Sequence, residues 1–403
     1  MIHYFNPGHE TAVLNGSPYY MPPAIQLKMR ADLAYLPAWY GHPDDFVLVG
    51  EKLSENFVVS TQLLRLPSAI QQDDFILKRK TLENEKVACW GITPAAIHLF
   101  ETFNKAYGLN MSLPVWHEQY KALCSRTFAR DCLLHIISHI PGIETEIVPQ
   151  IHDTLASIES QLRRQPGNYL AKAIYSSSGQ GLLWLPEGEL TQSAKQILGG
   201  RLKKQGVISL EKILDKTLDF AMEFNSTSNG RIDFAGYSLF LTTDKGGYAG
   251  NQLMSQSAIE QRVTLSIAPE LLKQIQQCIQ RYLQEHVNPF YQGVIGVDMM
   301  CYTKGSRIFL HPCVEINMRH TMGNLSIALH EKHLDINTTG LLSIEYNSQK
   351  GVLMEQDSKM KQHYPVVMEN ERIQSGYLPL CPVHHNSQYR AHMIVNAASF
   401  PLQ

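Results

Sequence analysis

The chain has 403 residues, a length that favours two or three domains or subdomains over a single core. Hydrophobic residues make up 44% of the sequence and charged residues 18%, a globular composition with ample apolar surface to bury. The formal net charge of −2 and the lack of a long basic run argue against capture of nucleic acid or anionic membranes by bulk charge. These numbers favour a protein that acts on small molecules.

Seven scattered cysteines form no C-x-x-C pair, which argues against a disulfide framework and favours a reducing compartment. The first ten residues break at an Asn-Pro-Gly turn before the apolar region of a signal peptide can form. No apolar run approaches the length of a membrane span. We therefore predict a soluble, cytoplasmic protein whose partners include neither nucleic acid nor a membrane.

The first part of the chain alternates short apolar runs with helical patterns, and turn residues separate them. The predicted strands are residues 2–5, 46–50 and 86–89, and the predicted helices are residues 24–35 and 93–103. Thr93 and Pro94 are typical of an N-cap followed by a proline in the first helical position. Residues 1–115 are accordingly predicted to form an α/β domain.

The second part begins with two amphipathic helices and continues into two strands around a polar loop. The predicted helices are residues 125–138 and 153–164, and the predicted strands are residues 169–175 and 182–185. The loop between the strands consists of Ser176, Ser177, Ser178, Gly179, Gln180 and Gly181. We assign residues 116–205 to one subdomain on this pattern.

Residues 206–330 read as a second subdomain rich in strands. The predicted elements are a strand followed by a loop within 207–215, strands at 218–224, 234–242, 293–302 and 306–316, and a helix at 269–286 with a clear apolar stripe. Beyond residue 330 the signals weaken until a final alternating run at 389–395. Residues 331–403 are therefore assigned to a C-terminal extension of unknown role.

Polar side chains cluster near the end of the last strong strand pair. Glu315, Asn317 and Arg319 alternate, so on a strand all three would point to one face. Asp298 ends the preceding apolar strand. Carboxylate and amide oxygens suit Mg²⁺, and arginine is the preferred fork for a phosphate oxygen. The cluster predicts a nucleotide–metal site, and the alternative is an ion-pair network with Arg319 or Arg307.

Three further features are individually ambiguous. The small residues of loop 176–181 can present backbone N–H groups to phosphate oxygens, although most such loops are plain hairpin turns. Lys172, in the strand before the loop, is either a solvated lysine or a cation for nucleotide phosphates. Glu211 is either a solvated strand-end glutamate or an acceptor for an adenine amino group, and Asp219 is equally open.

Taken in order, these residues resemble the ATP-grasp superfamily: Lys172 before the Ser/Gly-rich loop, Glu211, Asp298, and Glu-x-Asn-x-Arg at 315–319. The resemblance covers about residues 120–325, and Glu-x-Asn-x-Arg is its most specific mark. Residues 1–115 resemble the preceding domain of that superfamily at the level of fold. The resemblance implies an α/β and α+β chain, namely an ATP-grasp fold with an N-terminal α/β preceding domain.

By position, the resemblance implies a role for each motif residue. The implied nucleotide-binding residues are Arg126, Lys172, Ser176, Ser177, Ser178, Gly179, Gln180, Gly181, Glu211, Lys212, Ile213, Leu214 and Asp219. Arg126 would stand where the family usually has a second lysine. Asp298, Glu315 and Asn317 would hold Mg²⁺ or Mn²⁺. Arg319, facing the γ-phosphate, and Lys172 are the implied catalytic residues.

The implied reaction is ATP-dependent activation of a carboxylate. ATP would phosphorylate the carboxylate to an acylphosphate, which an amine, or less often a thiol, would then attack. The expected partners are a small-molecule or peptide carboxylate and an amine, and a homodimer is one candidate assembly. Two alternatives stay open, a small-molecule kinase on the same fold and a nucleotide-binding regulatory protein without turnover.

The acceptor substrate is not identified by any one motif. The candidates for its site are the turns at residues 6–10 and 90–93, Arg231, residues 250–252, Arg262 and His320. A turn at the carboxyl end of a first strand is where α/β sheets bind ligands, which favours the first of these. For residues 6–10, ligand contact and plain turn chemistry are about equally supported.

Overall fold

The computed structural model describes residues 1–176, 179, 181–288 and 290–396. The chain divides into two compact units. Unit 1 comprises Met1–Trp116, Ala249–Ile259 and Arg319–Gln403, and unit 2 comprises His117–Tyr248 and Glu260–Met318. Throughout the described part of the chain, every helix is too short or too polar to cross a membrane.

The first segment of unit 1 is an α/β layer built on a parallel sheet. Its strands are β1 (Ile2–Tyr4), β2 (Phe46–Leu48), β3 (Ser68–Ile70) and β4 (Val87–Cys89), in the order β3-β2-β1-β4. Its helices are α1 (His9–Asn15), α2 (Ala24–Asp32), α3 (Glu55–Leu63), α4 (Asp74–Leu77), α5 (Arg79–Leu82) and α6 (Pro94–Tyr107). The start of α6 confirms the predicted cap, because the Thr93 side chain accepts a hydrogen bond from the Ala96 N–H at 3.1 Å.

Unit 2 begins with helices around a small antiparallel sheet. The helices are α7 (Glu118–Leu123), α8 (Arg126–His139), α9 (Leu155–Arg164) and α10 (Gln192–Gln205). The strands are β5 (Gln150–His152), β6 (Tyr169–Ala173), β7 (Leu182–Leu185) and β8 (Ile208–Lys212), in the order β5-β8-β6-β7. Residues of α9 and α10 pack on this sheet in one core, which includes Ile158, Leu198, Ile208 and Leu210.

A second antiparallel sheet completes unit 2. Its strands are β9 (Asp215–Ser226) and β10 (Ile232–Thr242), followed later in the chain by β12 (Gly293–Lys304) and β13 (Arg307–Asn317). Between them, β11 (Tyr248–Leu253) and α11 (Gln256–Thr264) cross from one unit to the other, and α12 (Pro269–His286) precedes β12. The order within unit 2 is β13-β12-β9-β10, with all three pairings antiparallel.

The segment after Arg319 returns to unit 1. Its elements are α13 (Met322–His333), β14 (Gly340–Tyr346), α14 (Val352–His363), β15 (Val367–Glu369), β16 (Arg372–Pro379) and β17 (Tyr389–Val395). The strands follow the order β11-β14-β17-β16-β15. Trp39 and Leu380 lie in one core, and the Trp39 indole N–H donates to the Leu380 carbonyl at 2.7 Å. The C-terminal segment is thus built into the same core as the N-terminal sheet.

Candidate functional site

Lys172 of β6 and Glu211 of β8 form a buried ion pair in unit 2. Their Nζ and Oε2 atoms lie 2.5 Å apart, and their side chains are 8% and 12% exposed. The Ser209 hydroxyl donates to the other oxygen of Glu211 at 3.1 Å. Burial alone would raise the pKa of Glu211, but Lys172, the stronger of the neighbouring influences, lowers it below its usual value. The solvated alternatives for both residues are therefore wrong.

His311 of β13 belongs to the same electrostatic environment, and sequence reasoning missed it. The side chain is buried, and burial lowers its pKa to about 4, with smaller and opposing influences from Glu211 and Lys172. Its Nδ1 atom has no hydrogen-bond partner among the described residues. A buried, neutral and unsatisfied ring nitrogen beside this pair is a polar group that a ligand would satisfy.

Arg126, in the first turn of α8, connects the Lys172 strand to the predicted metal residues. Its Nε–H donates to the Ala173 carbonyl at 3.1 Å, and Nη2 donates to the Ser176 carbonyl at 3.4 Å. Nη2 also lies 3.1 Å from Oε2 of Glu315. Ser125 caps α8 by accepting a hydrogen bond from the Phe128 N–H, so the helix start that carries Arg126 is locally defined.

The predicted metal residues meet on neighbouring strands of unit 2. Asp298 of β12 lies directly opposite Glu315 of β13, and Gly296 lies opposite Asn317. The Asn317 amide donates to Oδ2 of Asp298 at 3.1 Å. Three oxygen-bearing side chains therefore share one face of the sheet. The alternative from the sequence was an ion-pair network with Arg319 or Arg307. In the structure, the arginine beside Glu315 is Arg126 instead.

Arg319 departs from the geometry that the alternation predicts. Strand β13 ends at Asn317, so the common face holds for Glu315 and Asn317 and does not extend to Arg319. Arg319 belongs to unit 1, where its Nε–H donates to Oε1 of Glu10 at 2.6 Å. Burial works against the charge of Glu10, yet Arg319 and His9 lower its pKa to about 2.

The loop at 176–181 is only partly described. Ser177, Ser178 and Gln180 lie outside the described residues, whereas Ser176, Gly179 and Gly181 lie within them. Gly179 has φ +76, and a Cβ there would come within 2.8 Å of the Gly246 carbonyl oxygen. A Cβ on Gly181 would meet the Ser176 hydroxyl at 2.1 Å. Both positions therefore require glycine, for backbone conformation in one case and for space in both.

The remaining predicted nucleotide residues occupy the connection from β8 to β9. Lys212 ends β8, and Ile213 and Leu214 form the connection, where the Ile213 N–H donates to the Asn168 carbonyl at 3.0 Å. Asp219 lies on β9, accepts a hydrogen bond from the Thr242 hydroxyl at 2.9 Å and pairs with Lys216.

Glu223 of β9 is a second residue that sequence reasoning missed. It is 1% exposed and accepts a hydrogen bond from the Ser238 hydroxyl at 3.2 Å. Across the sheet Glu223 pairs with Gly296, which pairs with Asn317, so Glu223 shares the face of the metal residues. It lies within a continuous run of buried residues on β9, and no motif in the sequence marked it.

In unit 1 the structure brings together several of the predicted acceptor residues. The Asn6 side chain donates to the Gly91 carbonyl at 2.8 Å and accepts from the Gly91 N–H at 3.1 Å, which joins the turns at 6–10 and 90–93. The His320 N–H donates to the Trp90 carbonyl at 2.8 Å, and its ring stacks on Tyr40 at 4.3 Å. By contrast, Arg262 is exposed and Arg231 forms an exposed pair with Asp233.

No protein-family model matches this chain, and no curated protein matches it either. Solved structures do match over 98% of its length. One is the ADP complex of an N5-carboxyaminoimidazole ribonucleotide synthetase, with 12% identity, 91% of that chain covered and a TM-score of 0.50. Another is the biotin carboxylase domain of the Hydrogenobacter thermophilus 2-oxoglutarate carboxylase, with 9% identity, 85% covered and a TM-score of 0.51.

A third match is a Campylobacter jejuni biotin carboxylase, with 9% identity, 87% of that chain covered and a TM-score of 0.51. These structures have the ATP-grasp fold. The chain therefore has this fold as well, and the predicted fold class is confirmed. Because the matches span nearly the whole chain, the likeness includes the C-terminal segment that the sequence left without a role.

Proposed function

We propose that this protein is an ATP- and Mg²⁺-dependent ligase that activates a substrate carboxylate as an acylphosphate for attack by an amine. The observation that carries the proposal is the arrangement in unit 2 of buried cations and facing carboxylates on an ATP-grasp fold. The three matched structures are named as nucleotide complexes, one with ADP, one with MgADP, ADP and bicarbonate, and one with β,γ-ATP. The substrate class is a small molecule or a peptide.

We assign the adenine and α-phosphate end of ATP to the Lys172–Glu211 pair. Glu211 stays charged because Lys172 lowers its pKa, so its oxygens can accept a hydrogen bond from an adenine amino group. Lys172 carries three N–H donors, and a nucleotide phosphate can accept from those that Glu211 does not occupy. The backbone of Lys212, Ile213 and Leu214, and Asp219 on the next strand, complete the proposed nucleotide contacts.

Arg126 is proposed to neutralise the phosphates from the start of α8. Arginine keeps its charge at any physiological pH and presents a planar fork to phosphate oxygens. Arg126 is 8% exposed and is held by two backbone carbonyls and Glu315. Such a preorganised cation can stabilise charge that develops during transfer without reorganising. Gly179 and Gly181, the described glycines of loop 176–181, are proposed to present backbone N–H groups to the phosphates.

The residues at 298, 315 and 317 fit a magnesium ion. Two carboxylates and one amide on facing strands offer the hard oxygen ligands that Mg²⁺ prefers. An ion held by these residues would supply positive charge to offset the negative charge of the nucleotide phosphates. Arg319 remains part of the proposal as the cation for the γ-phosphate, on the strength of the Glu-x-Asn-x-Arg sequence.

ATP turnover, read as both ADP and free phosphate, tests the proposed reaction. The full chain is incubated with Mg²⁺ and pools of amino acids, short peptides and small carboxylates, including bicarbonate. We expect ADP and phosphate to appear together, and only when a carboxylate and an amine are both present. ADP without free phosphate would contradict the ligase and indicate the kinase. Tight ATP binding without turnover in any pool would favour a regulatory protein.

Glu315→Gln tests the metal assignment. The change replaces one carboxylate ligand by an amide, while the amide oxygen can still accept a hydrogen bond from Arg126. We expect Mg²⁺-dependent turnover to fall by roughly 100-fold or more, with the unfolding temperature little changed. Glu345→Gln is the matched control, because Glu345 also pairs with an arginine, Arg390, but lies in unit 1. Unchanged turnover in Glu315→Gln would refute the metal assignment.

A further inference from the structure

Two helices of unit 2 bring three metal-ligating side chains together outside the proposed nucleotide site. His135 and His139 lie one turn apart on α8, and Cys278 lies on α12. One ligand atom of each residue lies within 4.8 Å of the others. His135 is nine residues beyond Arg126, which is about 13.5 Å along the helix. The cluster is therefore separate from the residues assigned to phosphate binding.

The ring of His139 already has an orientation that is common among metal-bound histidines. Nδ1 of His139 lies 2.8 Å from the His135 backbone carbonyl, which can only accept, so Nδ1 carries the proton. The other ring nitrogen, Nε2, then carries the free lone pair that a metal requires. Histidine ligands commonly donate their second ring N–H to a carbonyl in this way, which holds the ring in position. The spacing of four residues places both imidazoles on one helix face.

Exposure across the cluster is graded, which provides a route for an ion. His139 is exposed, His135 is half-buried and Cys278 is buried beneath them. Burial raises the pKa of the Cys278 thiol, while Arg281 on the same helix acts in the opposite direction. A metal that displaces the thiol proton would therefore release a proton on binding.

We propose that His135, His139 and Cys278 bind Zn²⁺, with water as the fourth ligand, and that the ion joins α8 to α12. Two imidazoles and one thiolate form a borderline-soft set that suits Zn²⁺ and excludes Mg²⁺ and Ca²⁺. Ligand bonds of this kind place donor atoms roughly 3.3–3.7 Å apart, so the side chains need only small rotations from their present separation. Without an ion, the same helices meet through the rings of Phe128 and Tyr282, 5.4 Å apart.

The expected consequence is a more stable unit 2. A ligand that binds the folded state alone raises its stability in proportion to the logarithm of the ligand concentration over the dissociation constant. The bound ion would join α8 to α12 near the C-terminal end of α8, the helix whose first turn contains Arg126. This site is independent of the proposed function, and either one can fail without the other.

Metal titration of the full chain tests the site. The protein is prepared without an affinity tag, stripped with a chelator and kept in excess Mg²⁺, so that hard-oxygen sites are filled. We expect one Zn²⁺ per chain with a dissociation constant of about 1 µM or tighter, measured by competition with a chromophoric chelator. Co²⁺ in place of Zn²⁺ should give a thiolate-to-cobalt charge-transfer band, and Zn²⁺ should raise the unfolding temperature.

Variants identify the ligands. Cys278→Ala should abolish the charge-transfer band, and His139→Gln should weaken Zn²⁺ binding at least about 30-fold. Because His139 is exposed, its variant tests the site even if the buried Cys278→Ala variant fails to fold. His363→Gln is the matched control, since His363 is an exposed helical histidine whose Nδ1 lies 2.7 Å from the Lys359 carbonyl four residues earlier. Zn²⁺ affinity unchanged in His139→Gln, or a band that survives Cys278→Ala, would overturn the proposal.

Discussion

Lys172 and Glu211 form a buried ion pair to which we have assigned a role in nucleotide binding. Removing either charge from water is costly, and their attraction offsets that cost only while both partners are present. The pair also keeps Glu211 ionised in an environment that would otherwise favour its neutral form. The proposed function therefore gives this pair two roles, in stability and in nucleotide binding, which a double substitution can separate.

We predict that Lys172→Met weakens ATP binding by about 10- to 100-fold, because a charged hydrogen-bond donor is lost. The free energy of unfolding should also fall, by about 3–5 kcal/mol, because the Glu211 carboxylate loses its partner in a buried site. The double variant Lys172→Met/Glu211→Gln should recover most of that stability without recovering ATP affinity. Calorimetric ATP titration and urea unfolding measure the two effects.

Lys195→Met is the control for this prediction. Lys195 pairs with Glu159 at 2.8 Å on the surface of unit 2, where ion pairs contribute little. Both the ATP affinity and the unfolding curve of that variant should match the parent protein. ATP affinity unaltered in Lys172→Met would leave Lys172 as a structural lysine.

The helices differ in how clearly the hydrophobic pattern of the sequence predicts them. Helix α12 carries one apolar stripe, and its predicted bounds are confirmed at both ends. Helix α13 is buried on most sides, from Gly323 through His330, so it has no polar face to generate a helical period. Helix α10 has few buried residues, so its apolar stripe is also too weak to predict a helix. Amphipathic elements are read from sequence, whereas wholly buried or mostly exposed ones are not.

The N-cap of helix α8 can be tested directly, because Ser125 defines the start of the helix that holds Arg126, a proposed phosphate ligand. Ser125→Ala removes the side-chain oxygen that accepts from the Phe128 N–H, and we expect a loss of about 1 kcal/mol in unfolding free energy. Since Arg126 is the first residue of the helix, ATP affinity should also fall several-fold. Urea unfolding and ATP titration test both effects.

Thr191→Ala provides the comparison, since Thr191 caps α10 in the same way with a 3.1 Å contact to the Ala194 N–H. It should cost similar stability and leave ATP affinity unchanged. Equal ATP affinity in both variants would show that the start of α8 does not position the nucleotide.

The whole molecule holds a set of neutral, buried histidines. Burial lowers the pKa to about 4 in each of His9, His311, His320, His333 and His392. In the unfolded chain these side chains take up protons near pH 6.5. Between about pH 6.5 and 4 the unfolded state therefore binds more protons than the folded state, and stability is lost as the pH falls.

We predict that the free energy of unfolding is nearly constant above about pH 7 and declines through this window. Each such histidine contributes a slope of about 1.4 kcal/mol per pH unit. Urea unfolding at a series of pH values measures the slope. The buried His9 contributes one proton to this slope, so His9→Gln should lower the slope by about 1.4 kcal/mol per pH unit. His363 is exposed, and His363→Gln should leave the slope unchanged. A flat profile between pH 6.5 and 4.5 would contradict the prediction.

The sequence by itself indicated the ATP-grasp fold class through the resemblance that its ordered motif residues carry. The periodicity of the elements, which is a local property, predicted many of the strands and helices. The sequence also grouped Asp298 with Glu315 and Asn317 as one candidate cluster, although their register came from the structure. The turn at Gly305 sets a register that would pair Asp298 with Cys313, and a shift between Asp298 and Met300 brings Asp298 opposite Glu315 instead. The roles of these residues in binding ATP and metal remain predictions that the experiments above address.

Only the tertiary structure decided which charges meet. Arg126 pairs with Glu315, and Arg319 pairs with Glu10 rather than continuing along the strand, although these partners lie far apart in the sequence. The same holds for Trp39 and Leu380, whose contact brings the C-terminal segment into the N-terminal core. Such pairings are contacts between residues far apart in the sequence, and a local pattern of residue types does not predict which distant residues will meet.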